Sequence, residues 1–564
     1  MGRSSEKVFK KRKGVYHPRK KDVQATKTEN KTSASEKKMP NLNDSYSDYL
    51  PKFESNIIID INVLCDMFKN FARCRNCDNG LDISLERNSG LAANLSLKCT
   101  ECDCTVKFNT SPKVSENSQL YAVNLRFVYA LRSIGKGAEA GRVLCGILNL
   151  PDPPTRFARY NTKLLDAVKE VASEVMSDAV KEACQESESG VDLAVGVDGS
   201  WQKRGFSSLN GVVAVTSVDT GKVLDIEVLT KFCACQNKKN HSANCKRNFS
   251  GSSGMMEVQG ALAMFGRSMG EHGARYTKYL GDGDSKAYTC VKDSHPYGKN
   301  YPIEKLECVG HVQKRMGTRL FKFKEKSRGN ILADGKTLAG RNRLTKEHII
   351  AIQNYYGQAI RDNLESVEKM KQAIWAIFLH KSSTDAVPQH GFCPTGDKSW
   401  CSYNKAIATN NPPPKHKNTI PVTIMEEIRP IFKDLAHPDL LKKCLHGRTQ
   451  NSNESFNHIL WSRIPKTTFV QFETLSFGAY EAVCSFNVGN ISRMKVLKKL
   501  SIEPGYYTAR TMKRLDEERV LRAKYARNQQ TKSRRKEKRL KRKREDAIVL
   551  KNPKNQGYGA GLYP

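Results

Sequence analysis

Residues 191–230 read VDLAVGVDGSWQKRGFSSLNGVVAVTSVDTGKVLDIEVLT, and this stretch decides the fold of the chain. An apolar run leads into Asp198, a second run covers 211–218, and a third covers 223–229 after the turn-forming residues 219–222. β-Branched runs that turn residues separate are typical of antiparallel strands. The stretch therefore predicts a three-stranded antiparallel meander whose first strand ends at Asp198.

A strand that ends in Asp and precedes two antiparallel strands is how a ribonuclease H-like domain begins. In such a domain the Asp is a hard oxygen ligand for Mg²⁺ or Mn²⁺. Taken alone, Asp198-Gly199 favours a plain turn, because Asp-Gly after a strand is usually just that. A cation site therefore needs further carboxylates from other parts of the chain.

Length and charge limit the classes of protein. A chain of 564 residues predicts several domains, and a net charge of +36 predicts a polyanionic partner such as DNA, although a basic ribosomal or structural role also fits. No run of about 18 or more apolar residues occurs, so no membrane span is expected. The 17 cysteines lack the spacing of a secreted disulfide framework, which predicts an intracellular protein with reduced and partly metal-bound cysteines.

The two ends of the chain are basic. Residues 1–50 are predicted to be a disordered tail, and residues 506–564 a second basic tail, whose Lys/Arg block follows DEERVLRAKYA (516–526) and is predicted to be a solvent-exposed helix. Such clusters contact DNA phosphates or act as nuclear-import signals, which predicts a nuclear location. The predicted phosphate contacts are Lys532, Arg534, Arg535, Lys536, Lys538, Arg539, Lys541, Arg542, Lys543 and Arg544.

Residues 51–115 carry two Cys-x-x-Cys pairs, Cys74 with Cys77 and Cys99 with Cys102. This spacing predicts a zinc-ribbon-like module with a closed, structural tetrahedral site. The nearby Cys104 leaves the identity of the fourth ligand open.

Residues 116–190 have apolar side chains at helical spacing, with glycines where two short helices would meet. A helix-turn-helix that binds DNA and a plain helical subdomain both fit this pattern.

Two further Cys/His groups have the residue types of zinc sites. One consists of Cys233, Cys235, His241 and Cys245, for which an unliganded loop is the alternative. The other consists of His380, His390, Cys393 and Cys401, for which packed core residues are the alternative. The second group lies in residues 331–445, where the runs 344–363 and 366–380 predict helices.

Further carboxylates follow later elements. Residues 275–280 predict a strand that ends at Gly281-Asp282-Gly283-Asp284, and Glu454 lies in a predicted amphipathic helix. Two-metal sites require acidic groups from neighbouring elements. Asp282 lies nearer the strand and is the predicted ligand, whereas Asp284 is predicted to cap the helix that begins near Ser285. The alternative for Glu454 is an ordinary surface position.

Six motifs together resemble the transposase domain of Mutator-like DNA transposons, in the animal-type branch. They are DGSWQKRG (198–205), GSSGMME (251–257), YLGDGDSKAY (279–288), ECVGHVQKRMGTRL (307–320), PQHGFCP (388–394) with SWC (399–401), and QNSNESFNHILW (450–461). The resemblance extends from about Cys74 to the end of the chain.

The resemblance implies an α/β multidomain protein with a ribonuclease H-like catalytic domain, formed by residues 191–330 and 446–505 and interrupted by the helical insertion 331–445. It implies an Asp-Asp-Glu triad, which Asp198, Asp282 (or Asp284) and Glu454 match, and a Cys-x-x-His element, which Cys308 and His311 match. The implied activity is cutting and joining of double-stranded DNA at transposon terminal repeats and target sites, by two-metal chemistry with Mg²⁺ or Mn²⁺, in a homo-oligomeric synaptic complex. A domesticated DNA-binding or regulatory protein without catalysis is the alternative.

Overall fold

The structure is a computed structural model that describes residues 32–528, except 43, 50–54, 155–156, 203–207, 238–240, 244, 284, 341, 398 and 417–418. The chain divides into two compact units, one of Lys38–Arg519 and one of Met1–Lys37 with Val520–Pro564. In the second unit Lys524 forms an ion pair with Glu36 at 2.8 Å. The ten basic residues between Lys532 and Arg544 lie outside the described residues.

The described residues form strands and α-helices with the following bounds. The strands are β1 (Leu81–Ser89), β2 (Ala92–Cys99), β3 (Thr105–Asn109), β4 (Asp192–Trp201), β5 (Asn210–Ser217), β6 (Val223–Thr230), β7 (Arg275–Gly281) and β8 (Glu304–Glu307). The helices are α1 (Ala34–Lys38), α2 (Ile61–Phe71), α3 (Ala122–Ser133), α4 (Ala138–Ile147), α5 (Phe157–Glu186), α6 (Met255–His272), α7 (Lys286–Asp293), α8 (Val309–Lys326), α9 (Lys346–Arg361), α10 (Val367–Ser382), α11 (Ser402–Ala408), α12 (Val422–Leu435), α13 (Pro438–Lys442), α14 (Asn451–Arg463), α15 (Phe472–Asn487), α16 (Ser492–Lys499) and α17 (Tyr506–Arg527).

A five-stranded sheet with the order β6-β5-β4-β7-β8 lies at the centre. Strands β4, β5 and β6 form the predicted antiparallel meander, while β7 runs parallel to β4 and β8 runs parallel to β7. The prediction that the first strand ends at Asp198 is wrong. Strand β4 continues to Trp201 because its last residues keep pairing with β5, as far as Trp201 opposite Gly211.

Helices cover both faces of this sheet. Along β5, Val213 and Val215 pack in one core with α6, whereas Val212 and Ala214 pack in another with α14 and α15. Successive side chains of a strand point to opposite faces, so a strand buried on both sides reads as one continuous apolar run. The mixed α/β class predicted from the sequence is therefore present.

The helical insertion lies between β8 and α14. The two helical runs predicted in it are α9 and α10. Its core also includes Val309, Val312, Met316 and Leu320 of α8, so the packed unit begins before residue 331. One face of α8 thus belongs to the insertion while the start of the same helix lies beside the sheet.

The prediction that residues 1–50 are a disordered tail is wrong for part of this segment. Residues 1–31 lie outside the described residues, but α1 and a 3₁₀-helix at Asp44–Tyr49 are regular structure rather than a disordered tail. Tyr46 is fully buried, and its hydroxyl donates to Asp516 of α17 at 2.8 Å. Burial of the Tyr46 ring and its hydrogen bond to Asp516 stabilise this segment in spite of its polar composition. No helix among the described residues is long and apolar enough to cross a lipid bilayer.

Candidate active site and metal-binding clusters

Asp198 lies in the middle strand of the sheet and points to the face that α14 covers. Its carboxylate Oδ2 accepts a hydrogen bond from Asn457 Nδ2 at 2.7 Å. Trp461, one helical turn further along α14, donates to the hydroxyl of Ser200 at 2.7 Å. The strand and the helix are therefore held together on both sides of the carboxylate.

Buried amides hold α14 in register with the sheet. Gln450 Nε2 donates to the carbonyl oxygens of Val197 at 2.8 Å and Leu280 at 3.3 Å, which ties β4 to β7. Asn453 donates to the carbonyl of Gly196 at 3.1 Å and accepts from Thr216 at 2.6 Å. Buried amides of this kind need partners, so their pairing fixes the position of the helix.

The polar residues of α14 form a single stripe. Gln450, Asn453, Glu454 and Asn457 follow the spacing i, i+3, i+4, i+7, which places them on one helix face. Phe456 and Leu460 on the neighbouring face are fully buried. The helical spacing of these four residues is visible in the sequence, although sequence reasoning singled out Glu454 with Asn453 and Asn457 and missed Gln450.

Gly196 lets the helix approach the strand. A Cβ atom at this position would lie 2.7 Å from Asn453 Oδ1 and 3.2 Å from Thr216 Oγ1. A separation of 2.7 Å is too short for a Cβ atom and a nonbonded oxygen, so a glycine is required where the amide of Asn453 contacts β4.

Asp282 and Glu454 lie on either side of His311. Asp282, the first residue after β7, has Oδ1 at 3.6 Å from His311 Nδ1, and Glu454 has Oε1 at 3.8 Å from His311 Nε2. A hydrogen bond with Cys308 and the charge of Asp282 raise the pKa of His311, against the opposing effect of burial. The structure thus brings the predicted Cys-x-x-His element between two of the predicted acids.

Arg315 provides a second link to Asp282. Its guanidinium lies 2.6 Å from the buried Glu307 and 3.4 Å from Asp282. The alternative acid, Asp284, lies outside the described residues. The N-cap of α7 is Ser285, whose hydroxyl accepts the N–H of Tyr288 at 3.2 Å.

Glu257 is a fourth carboxylate that sequence reasoning missed. It lies in the first turn of α6, on the sheet face opposite α14, and reaches the middle strand at Gly199. A Cβ atom on Gly199 would lie 3.3 Å from Glu257 Oε2, so the glycine leaves room for this carboxylate. Its motif GSSGMME contributed to the family resemblance, but no local pattern indicates that Glu257 comes near Asp198.

The two half-buried acids, Asp198 and Glu257, lie where negative charge is electrostatically unfavourable. Burial, followed by the charges of Glu257 and Glu454 but opposed by His311, raises the pKa of Asp198 to about 7. Burial also raises the pKa of Glu257, with a further contribution from Asp282. Carboxylates that are costly to ionise in the absence of a cation are stabilised in their ionised form when a divalent cation binds to them.

Three Cys/His groups are more tightly gathered than these acids. Among the described residues, they are the groups whose donor atoms all lie within 4.8 Å of one another. They consist of Cys74, Cys77, Cys99 and Cys102; of Cys233, Cys235, His241 and Cys245; and of His380, His390, Cys393 and Cys401. These are the three ligand sets predicted from the sequence. All 17 cysteines lie among the described residues, and all are free.

Pairing within the three-stranded sheet brings the two Cys-x-x-Cys pairs together. Leu81 at the start of β1 pairs with Cys99 at the end of β2, so both loops lie at one end of the sheet. The sulfur of Cys74 lies 3.6 Å from that of Cys102, and Cys77 lies 3.4 Å from Cys99. Cys104 is outside the group, and its carbonyl accepts the N–H of Cys99 at 3.0 Å.

The cluster of the insertion has the dimensions of a zinc tetrahedron. Tetrahedral zinc with ordinary bond lengths places two nitrogens about 3.3 Å apart and nitrogen and sulfur about 3.6 Å apart. The two histidine Nδ1 atoms lie 3.2 Å apart, and the four nitrogen–sulfur distances are between 3.5 and 3.8 Å. Burial lowers the pKa of His380 to about 4, so its imidazole is neutral at pH 7 and free to bind a metal.

The second group shows similar distances. His241 Nδ1 lies 3.2 Å from the sulfur of Cys233 and 3.6 Å from that of Cys245, and the two sulfurs are 3.6 Å apart. Residues 238–240 and 244 of the same loop lie outside the described residues.

The helical region before the meander is a poor match to a DNA-reading motif. The turn between α3 and α4 contains Gly135 at φ +73°, whose Cβ would lie 2.1 Å from the carbonyl oxygen of Arg463. Helix α4 exposes Val143, Leu144 and Ile147 at 56%, 41% and 79%. A recognition helix needs polar and basic side chains at the bases, so the plain helical subdomain fits better.

Comparison with known families identifies the chain. A model of the Mutator-like transposase family matches residues 55–401. This is more than half of the sequence, and the chain therefore belongs to the Mutator-like transposase family. The match includes Asp198, Asp282, Cys308 and His311 and ends before Glu454. Comparison with the curated proteins gives no match.

Proposed function

We propose that the chain is a DNA transposase that cuts and joins DNA, with Asp198, Asp282 and Glu454 holding two Mg²⁺ or Mn²⁺ ions. The observation that carries this proposal is that Asp282, at the end of β7, and Glu454, in α14, flank one imidazole, while Asn457 of the same helix donates to the half-buried Asp198 of β4. Membership of the transposase family and the net charge of +36 support DNA as the substrate.

We further infer that the five-stranded sheet with α14 is a ribonuclease H-like catalytic domain. Three antiparallel strands followed by two parallel strands, with the first acid in the middle of the sheet, support this assignment. The insertion between β8 and α14 agrees with the interruption that the family resemblance implies before the Glu.

The donor set fits hard cations. Carboxylate oxygens are the ligands that Mg²⁺ and Mn²⁺ prefer, and Glu257, on the other face of the sheet, adds negative charge that raises the pKa of Asp198. When bound, the two ions activate the attacking hydroxyl and stabilise the leaving oxygen. Asn457 orients the Asp198 carboxylate, and the His311 imidazole lies between Asp282 and Glu454.

Zinc is the proposed occupant of the three Cys/His groups. Thiolates and imidazoles in closed sets of four are structural zinc ligands. A nuclear location, binding to transposon terminal repeats and a homo-oligomeric synaptic complex follow from the transposase proposal.

The test is a cleavage assay with the full chain on DNA that carries the sequences flanking its own coding region. Wild type should nick and join this DNA with Mg²⁺ or Mn²⁺, and Asp198→Asn or Glu454→Gln should abolish both reactions while DNA binding remains. Glu365→Gln, at a side chain that is 85% exposed, is the matched control and should retain activity. Cleavage that survives in Glu454→Gln removes Glu454 from the site, and DNA binding without cleavage by wild type favours the non-catalytic alternative.

A further inference from the structure

The zinc cluster of the insertion is backed by a short chain of hydrogen bonds. His390 turns its Nδ1 atom toward the other three cluster residues, and its Nε2 atom lies 2.8 Å from Nε2 of His416. On the far side, Nδ1 of His416 lies 2.5 Å from Oδ1 of Asp385. Neither His416 nor Asp385 is among the four gathered donors.

Additional hydrogen bonds hold Asp385 and the two imidazoles in place. Asp385 Oδ1 also accepts the backbone N–H of His416 at 2.8 Å. The hydroxyl of Ser383 lies 3.0 Å from Nε2 of both imidazoles and accepts the N–H of Gln389 at 2.9 Å. The two imidazole planes are 14° apart. The geometry thus fixes both rings as well as the distances between their nitrogens.

The protons along this chain have a determined order. The contacts with His416 lower the pKa of Asp385, so its carboxylate is ionised and accepts hydrogen bonds. A ring proton on Nδ1 of His416 meets this acceptor, which leaves a lone pair on its Nε2. That lone pair accepts the Nε2–H of His390, and the lone pair of His390 is then on Nδ1, which faces the cluster.

We propose that Asp385 and His416 are positioning residues that select the Nδ1-binding tautomer of His390 and orient its ring for zinc. Metal-binding histidines commonly donate their second N–H to a carboxylate or carbonyl group. Here an imidazole stands between the ligand and the carboxylate. The inference rests on the zinc site proposed above and is independent of the DNA-cutting chemistry.

A positioning role for His416 depends on the lone pair of its Nε2 atom, whereas ordinary packing against His390 does not. His390 stacks on Tyr403 with ring centroids 4.3 Å apart, so loss of the His416 ring alone leaves His390 with a packing partner. Glutamine at position 416 offers a carbonyl oxygen that accepts the Nε2–H of His390. Lysine fills similar space but only donates, so it opposes the required tautomer.

The experiment measures zinc in the full chain by competition with a chromophoric chelator. Cys393→Ser, which removes one ligand of this cluster, should hold one zinc ion fewer than wild type, and the difference defines this site. His416→Ala, His416→Lys and Asp385→Asn should weaken zinc binding at the site about 10- to 100-fold. His416→Gln should restore most of the affinity, and Lys415→Ala, at the exposed preceding residue, should equal wild type.

Cobalt provides a spectroscopic readout that a loss of folding does not mimic. With Co²⁺ in place of Zn²⁺, the visible absorption of the site is the wild-type spectrum minus that of Cys393→Ser. His416→Gln should retain this absorption at Co²⁺ concentrations at which His416→Lys has lost it, while the bands of the other two clusters remain in both.

Three results overturn the inference. If His416→Lys binds zinc as tightly as wild type, the tautomer does not depend on His416. If His416→Gln is as weak as His416→Ala, the ring acts by packing rather than as an acceptor. If wild type and Cys393→Ser hold equal zinc, both the zinc site and the role of its positioning residues are refuted. The DNA-cleavage proposal is tested separately, by the variants of Asp198 and Glu454.

Discussion

Replacing Asp198 with Asn should stabilise the folded chain in the absence of divalent cations. Asn keeps the size of the side chain, and its Oδ1 still accepts from Asn457, but the negative charge is gone. The wild-type carboxylate is half-buried, and this burial with the charges of Glu257 and Glu454 raises its pKa from 3.8 to about 7. The fold therefore disfavours ionised Asp198, and removing the charge removes that cost.

The magnitude depends on pH in a defined direction. Because one pKa unit corresponds to about 1.4 kcal/mol, ionised Asp198 lowers the free energy of unfolding by about 4 kcal/mol at pH 8. The folded chain holds this proton more tightly than the unfolded chain, so wild-type stability falls as pH rises from 3.8 to about 7. At pH 5, where only the unfolded chain ionises this group, the cost is about 1.5 kcal/mol. The advantage of Asp198→Asn should therefore more than double between pH 5 and pH 8.

The assay is denaturant unfolding of the full chain in Mg²⁺-free buffer without chelator, so that zinc is retained. Tryptophan fluorescence reports partly on the site, because two of the four tryptophans lie there, Trp201 on β4 and Trp461, which donates to Ser200. Millimolar Mg²⁺ should stabilise wild type at pH 8 but not Asp198→Asn, since a ligand stabilises only the state that binds it. A variant that is less stable than wild type at pH 8, or equally affected at both pH values, would refute the reasoning.

Two other perturbations test the packing and the zinc ribbon. Gly196→Ala should lower the free energy of unfolding by about 1–3 kcal/mol, because its Cβ would meet Asn453 Oδ1 at 2.7 Å. Gly266→Ala in α6 is the control, since no atom lies within 4 Å of its added Cβ, and it should be neutral or stabilising in the same unfolding measurement. Cys99→Ser should remove one zinc ion from the full chain by elemental analysis and expose β1–β3 to proteolysis, and unchanged zinc content would end the ribbon assignment.

Local patterns in the sequence predicted the parts of the structure that depend on neighbours along the chain. Alternating and continuous apolar runs indicated β5, β6 and β7, and helical spacing indicated α9, α10 and α14. Cysteine and histidine spacing indicated the same three groups that the structure gathers. Each of these signals is contained within a few tens of residues.

The remaining features depend on contacts between distant segments. Glu257 comes near Asp198 only because α6 packs across the sheet from α14, and Arg315 meets Asp282 only because β8 lies beside β7. The end of β4 was misplaced because Asp198-Gly199 resembles a turn, whereas pairing with β5 extends the strand. His416 lies 26 residues beyond His390, and nothing in the spacing links them.

Three carboxylates from distant segments are proposed to hold the two divalent cations together, and the most direct test is to map the bound ions. Fe²⁺ that replaces Mg²⁺ generates hydroxyl radicals with ascorbate and peroxide and cuts the backbone beside its ligands. The account predicts cuts close to Asp198, Asp282 and Glu454 that excess Mg²⁺ suppresses and that Asp198→Asn abolishes together. Cuts near Asp282 or Glu454 that persist in Asp198→Asn, or the absence of any Mg²⁺-sensitive cut at Glu454, would contradict it.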